Sequence, residues 1–192
     1  MFIQTEQTPN PLTLKFLPGR VVMKEGTAFY QNVSDADNSP IAIRLFSVDG
    51  VKGVFLGSDF ITITKSNDID WQLLKPAVLG SITDHYNSGE DIINKDKDRD
   101  ANKIASRDGH KEENDSDIVK QIKELLDTRV RPTVAMDGGD IVYEKFEKGI
   151  VYLHMQGACS GCPSSAATLK TGIENMLKHY IPEVKEVRPI DE

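Results

Sequence analysis

The stretch from Ser88 to Asp115 constrains the fold more than any other part of the sequence. It includes Lys95-Asp96-Lys97-Asp98-Arg99-Asp100 and Asp108-Gly109-His110-Lys111-Glu112-Glu113-Asn114-Asp115, with no aromatic residue and few large apolar ones. Such a segment cannot bury enough surface to offset the entropy of ordering it. It is predicted to be a flexible charged linker over residues 88–115, with an r.m.s. span of about 30 Å. The chain then divides into residues 1–87 and 116–192, and each part must build its own small core. Both parts read as α+β domains.

In the N-terminal part, Phe2–Glu6 and Thr13–Leu17 are strand candidates separated by Thr8-Pro9-Asn10-Pro11, where two prolines forbid ladder or helix. Pro40–Phe46 has the makings of a short helix, with Ser39 as cap and Pro40 at the first position. Val51–Leu56 and Phe60–Thr64 flank Gly57-Ser58-Asp59, a hairpin signal. A helix is expected from Ile69 to Tyr86 with Trp71, Leu74, Val78 and Ile82 on its apolar face, which reads as packing. Pro76 falls inside this pattern and predicts a kink or a delayed start.

In the C-terminal part, Ser116 or Asp117 caps a helix with Ile118, Ile122, Leu125 and Leu126 on one face, expected to end at Pro132. Met136-Asp137-Gly138-Gly139-Asp140 reads as a turn, and Ile141–Phe146 and Ile150–Met155 as a hairpin around Glu147-Lys148-Gly149. After the loop Gln156–Cys162, Pro163 opens a helix to Tyr180, with Ala166, Leu169, Ile173, Met176, Leu177 and Tyr180 inward. Val184–Arg188 is a last strand. The order α-β-β-α-β is that of a small α+β domain. Met136, Met155 and Met176 read as core residues.

A net charge of −7 argues against nucleic acid as a partner, since phosphate binding wants a basic surface. No apolar run reaches the roughly 20 residues of a membrane-spanning helix, so no membrane partner is expected. The start, Met1-Phe2-Ile3-Gln4-Thr5-Glu6, has neither the basic and apolar regions of a secretory signal nor the arginine-rich character of a transit peptide. The expected location is a bacterial cytoplasm or, for a mature organellar form, the mitochondrial matrix.

Chemistry concentrates in Gly157-Ala158-Cys159-Ser160-Gly161-Cys162-Pro163, which holds the chain's two cysteines. A pair this close staples almost nothing and points to chemistry, not structure. Cys162 falls at or near a helix cap, where the free N–H groups of the first turn should lower thiol pKa and favour bound negative charge. That location suits a thiolate-ligated cluster and a redox thiol pair alike. Ligand arithmetic separates them further. A metal site built on thiolates commonly needs four, and one chain supplies Cys159 and Cys162 only. The histidines His85, His110, His154 and His179 have no ligand spacing relative to the pair. Either the pair never holds metal, or two chains share one site. From Gly157 to Thr168 no residue is charged and, apart from the cysteines and Pro163, none is larger than Thr, which would let a second identical loop approach closely. A thiol–disulfide oxidoreductase using the same pair stays open, as does a plain interaction module. His154 reads as a strand-face residue beside the loop, and Asp137 and Asp140 as turn or capping residues in preference to a cation site.

These motifs resemble a known family. Met136-Asp137-Gly138-Gly139-Asp140, Gly157-Ala158-Cys159-Ser160-Gly161-Cys162-Pro163-Ser164-Ser165 and Thr168-Leu169-Lys170 are similar to the C-terminal domain of NifU, the Nfu-type domain. Gln7-Thr8-Pro9-Asn10-Pro11 with Thr13-Leu14-Lys15-Phe16-Leu17-Pro18-Gly19 resembles the Nfu N-terminal domain. The resemblance covers all but the linker, which is longer and more charged than the family leads one to expect. It implies a non-enzymatic iron–sulfur carrier. A [4Fe-4S] cluster would be shared across a homodimer through Cys159 and Cys162, supplied by the cluster assembly machinery and passed to apo-proteins such as lipoyl synthase or aconitase-type clients. Ligand count alone leaves [2Fe-2S] open, because both cores can use four thiolates.

Overall fold

The computed structural model describes residues 1–94, 116–160 and 163–190, which fall into two compact units, residues 1–94 and 116–190. Both units are α+β. The charged segment 95–115 and Cys162 lie outside the described residues. No described helix is long and apolar enough to cross a membrane.

The first unit is a five-stranded sheet with helices on one face. Its strands are β1 (Gln4–Gln7), β2 (Thr13–Leu17), β3 (Ala28–Tyr30), β4 (Val51–Leu56) and β5 (Ile61–Lys65), in the order β1-β2-β5-β4-β3, every pair antiparallel. The register aligns Leu14, Ile63, Val54 and Tyr30 in one row and Phe16, Ile61, Leu56 and Ala28 in the next. Because side chains alternate along a strand, both rows face the same way. They meet helix α1 (Pro40–Phe46) and helix α2 (Trp71–Ser88) through Ile41, Leu45, Leu74, Val78 and Ile82 in one core.

Thr62, which alternates with Ile61 and Ile63 along β5, is also fully buried. It lies in the cross-strand row Phe29, Phe55, Thr62, Lys15 and Glu6 on the other face. There the Phe55 ring packs on Phe29 and Phe60, and the Lys15 ammonium stands 4.7 Å from the Phe60 ring while pairing with Glu6. The alternation is present, but aromatic and aliphatic stems cover both faces at that point.

Local signals fixed many of the boundaries. Ser39 caps α1 by accepting from the Ala42 amide, and Asp70 caps α2 by accepting from Gln72, two residues later than the predicted start at Ile69. The Thr8–Pro11 turn is held by Asn10, whose side chain accepts from Leu12 N–H, and Trp71 Nε1 donates to Pro11 O at 3.1 Å. The first strand begins at Gln4, not Phe2, and leaves Phe2 exposed. Sequence reading missed β3 and the 3₁₀ turn Val33–Ala36. Residues 88–94, assigned by composition to the linker, instead follow the first unit. Gly89 ends α2 in the left-handed region, Ser39 Oγ donates to Ile92 O at 2.8 Å, and Asn94 N–H donates to Asn38 O at 2.7 Å. Ile92 and Ile93 pack on the core.

The second unit comprises α3 (Asp117–Leu125), a π-helical turn (Leu126–Val130), α4 (Arg131–Met136), β6 (Gly139–Glu147), β7 (Ile150–Gly157), α5 (Pro163–Tyr180) and β8 (Glu186–Ile190). Strands β6 and β7 are antiparallel, joined through Lys148 and Gly149, both at positive φ. Helix α5 is the crossover that brings β8 parallel to β7. Ile122, Val134, Ile141, Leu153, Ile173, Leu177 and Val187 share the core. A bulge in β6 between Tyr143 and Lys145 shifts the alternation by one, so Ile141 and Tyr143 pack inward before it and Phe146 after it.

Pro132 does not end the first helix, contrary to expectation. The turn before it widens instead, and Arg131 N–H bonds to Leu126 O, five residues back. A proline ring clashes with the carbonyl four residues earlier, and a π-turn is one way to relieve this without stopping the helix. Two other expectations for this unit also fail. Tyr180 is exposed, with the Arg129 guanidinium 5.0 Å from its ring centre. Met136 is 72% exposed while Met155 and Met176 pack on the core.

Ser39 both caps α1 and anchors the 88–94 segment. Ser39→Ala should therefore cost about 1–2 kcal/mol in urea unfolding. It should also speed amide exchange at Asn94; an unchanged midpoint and unchanged exchange would contradict this account.

Candidate metal centre

The segment predicted as a turn, Met136–Asp140, divides between a helix end and a strand start. Gly138 N–H closes α4 on Ala135 O at 3.0 Å, and Gly138 takes φ +82°, a conformation that favours glycine. Gly139 and Asp140 already belong to β6, pairing with Gly157 and Gln156 of β7. Past the end of β7 the chain folds back. Gly157 is at φ +62°, Cys159 N–H reaches Gln156 O at 3.3 Å, and Ser160 N–H reaches Gly157 O at 3.1 Å. Ala158 N–H donates to Gly138 O at 3.1 Å, which ties this turn to the helix end.

The fold-back places Cys159 directly over Gly139. A Cβ on Gly139 would lie 2.5 Å from Cys159 Sγ, so the close approach requires glycine there. Cys159 is 5% exposed and joins the core of the second unit, and Ala158 is buried as well. The loop is thus covered at its first cysteine. Helix α5 does start at Pro163, as predicted.

The electrostatics of Cys159 also differ from expectation. Burial, with the carboxylates of Asp137 and Asp140 adding to it, pushes the thiol from 9.0 up to about 12. The raised pKa stands in place of the lowering anticipated for a thiol near the helix start. A thiol held protonated by the fold stabilises the fold; that contribution is complete below pH 9.0 and is lost as pH rises toward about 12.

Asp140 has a structural role. Its carboxylate receives a two-point fork from Arg131, Nε to Oδ1 at 2.9 Å and Nη2 to Oδ2 at 2.8 Å, and Oδ1 also accepts from Ile141 N–H. Arg131 in turn holds Asp127 at 3.1 Å, and these carboxylates raise its pKa further. Sequence reading passed over Arg131; its offset of nine from Asp140 matches no single-helix spacing. His154 lies 3.3 Å from Glu144 across the hairpin, as a strand-face residue. His85 is buried in the first unit, His179 stacks edge-on with Tyr180, and His110 lies outside the described residues. Among the described residues, no group of three or more His, Cys, Asp or Glu side chains could hold a metal ion.

Two outcomes are expected from this geometry. Arg131→Ala removes the guanidinium from a buried carboxylate and should destabilise the second unit by roughly 2–3 kcal/mol, read by urea unfolding; an unshifted midpoint would contradict the pairing. In the cluster-free chain, alkylation of Cys159 should keep rising by about tenfold per pH unit beyond pH 9.0, read by peptide mass spectrometry; a plateau at pH 9.0 would contradict the raised pKa.

Comparison with known proteins agrees with this architecture. The family described as "Scaffold protein Nfu/NifU N terminal" matches residues 3–89, and the "NifU-like domain" matches residues 122–188. The chain is 53% identical over 189 residues to NifU-like protein 4, mitochondrial, of Arabidopsis thaliana, covering 97% of this chain and 65% of that protein. It is 49% identical over 191 residues to the human NFU1 iron-sulfur cluster scaffold homolog, mitochondrial, covering 99% of this chain and 72% of that protein. A solution structure of a NifU-like protein from Saccharomyces cerevisiae is 29% identical, with a TM-score of 0.45, covering 50% of this chain and 86% of that one. With both domain types matched in order and about half of its residues shared with relatives named as iron–sulfur scaffolds, the chain belongs to the Nfu/NifU scaffold family.

Proposed function

We propose that the chain is an iron–sulfur cluster carrier in which Cys159 and Cys162 from each of two chains hold one [4Fe-4S] cluster. The cluster is cargo, received from the assembly machinery and surrendered to apo-proteins. The observation that carries this reading is that a member of a scaffold family has two cysteines in all, three positions apart. Four thiolates are the usual requirement, and a second chain is the simplest source of the missing two. The uncharged, small-residue run from Gly157 to Thr168 is compatible with close approach of an identical loop.

Transfer follows from thiolate chemistry. Cys159 binds iron only after losing its proton, and burial, with two carboxylates nearby adding to it, disfavours the free thiolate. Iron displaces that proton on binding, so loading of the buried thiol releases a proton and depends on pH. A site shared between chains can release its cargo by ligand exchange with a client's thiolates. The oxidoreductase reading is weaker on one specific observation: a redox cysteine works as a low-pKa exposed thiolate, whereas the Cys159 thiol is buried and raised. The compartment of relatives named mitochondrial favours the mitochondrial matrix over a bacterial cytoplasm.

Anaerobic reconstitution with iron and sulfide tests the proposal. The chain should gain visible thiolate-to-iron absorbance with about four irons per two chains. Cys159→Ser and Cys162→Ser should each lose it while retaining the far-UV circular dichroism of the parent. Retention of full iron content by either variant would overturn the ligand assignment, and catalysed disulfide reduction by iron-free protein would favour the rival.

A further inference from the structure

Gly139 is in an extended strand, and its φ is not in the left-handed region that favours glycine. Space, not backbone conformation, is what excludes a side chain. An added Cβ would meet three atoms of the cysteine turn: Cys159 Sγ at 2.5 Å, Gln156 O at 2.7 Å and Cys159 N at 2.9 Å. Two of these are backbone atoms, so no rotamer change relieves the overlap. The sulfur faces β6, and the turn carrying it is tied to the helix end by the bond from Ala158 N–H to Gly138 O. Arg131 secures the opposing strand through Asp140, the residue after Gly139.

A sulfur shared with a second chain must face outward. At 5% exposure, Cys159 faces inward. We propose that Gly139 is a positioning residue whose bare Cα seats the Cys159 sulfur in a retracted place against β6 in the cluster-free chain, so that loading begins when the Ala158–Ser160 turn lifts off. The retracted thiol is shielded from oxidants and alkylating agents until a cluster and a second chain are present. The lift breaks the backbone bonds from Ala158, Cys159 and Ser160 and withdraws Cys159 from the core, a local opening of the turn.

This inference rests on the reading of Cys159 as a ligand, but its test uses cluster-free full-length chain at a fixed pH and requires no cluster. Gly139→Ala should raise the alkylation rate of Cys159 by about tenfold or more, with the rate at Cys162 changed by less than about threefold. An unchanged Cys159 rate, or an equal rise at both cysteines, would overturn the seat and indicate no retention or general loosening. If Gly139→Ala does not fold, hydrogen exchange on the parent chain decides. The Ala158 amide should be protected, and it should open with the same free energy as the Cys159 thiol; exchange at the rate of a free peptide would overturn the seat. Failure here leaves the ligand assignment standing, since that depends on the serine variants.

Discussion

The second unit depends on the fork between Arg131 and Asp140. It joins the end of a helix to the start of β6 at the point where the cysteine turn is laid over the strand. The fork exists because the chain crosses Pro132 through a π-turn, which keeps Arg131 on a helix that would otherwise have ended. Asp140 is nearly buried, and its two oxygens are filled by Arg131 and by the Ile141 amide. With that carboxylate satisfied, β6 has a fixed origin, and Gly138 and Gly139 take the positions that receive Ala158 and Cys159.

A consistent electrostatic logic follows. Carboxylates stand near Cys159, the buried cysteine proposed as an iron ligand. In the cluster-free chain they and the low-dielectric surroundings keep the proton on the sulfur, which makes the site chemically quiet. Such a site suits a carrier, which must neither react with oxidants while empty nor hold its cargo too firmly to release it. In the first unit the sheet buries a core against α1 and α2 and fixes the 88–94 segment.

Much of the fold was legible because it is written in local signals. The Ser39 cap with Pro40 marked α1 to the residue, and Gly57-Ser58-Asp59 and Glu147-Lys148-Gly149 marked both hairpins. Local signals fail where a tertiary contact overrides them. Pro132 reads as a stop, and only the π-turn that precedes it lets the helix go on. Ser88–Asn94 is polar enough to read as linker, yet Ile92 and Ile93 find the core and Ser39 finds their backbone. The cysteine pair was legible as chemistry from its spacing. The burial of Cys159 was not, because it depends on a glycine twenty residues earlier in sequence that only the β6–β7 pairing brings alongside. Tyr180 falls on the inward period of its helix but lies exposed, with the Arg129 guanidinium over its ring.

The central claim is that one chain supplies half a coordination sphere. Native mass spectrometry of anaerobically loaded protein tests it most directly. The mass of an iron–sulfur core should appear only on species containing two chains, and single chains should carry none. A core retained on a single chain, or two-chain species that remain free of iron after loading, would contradict the account.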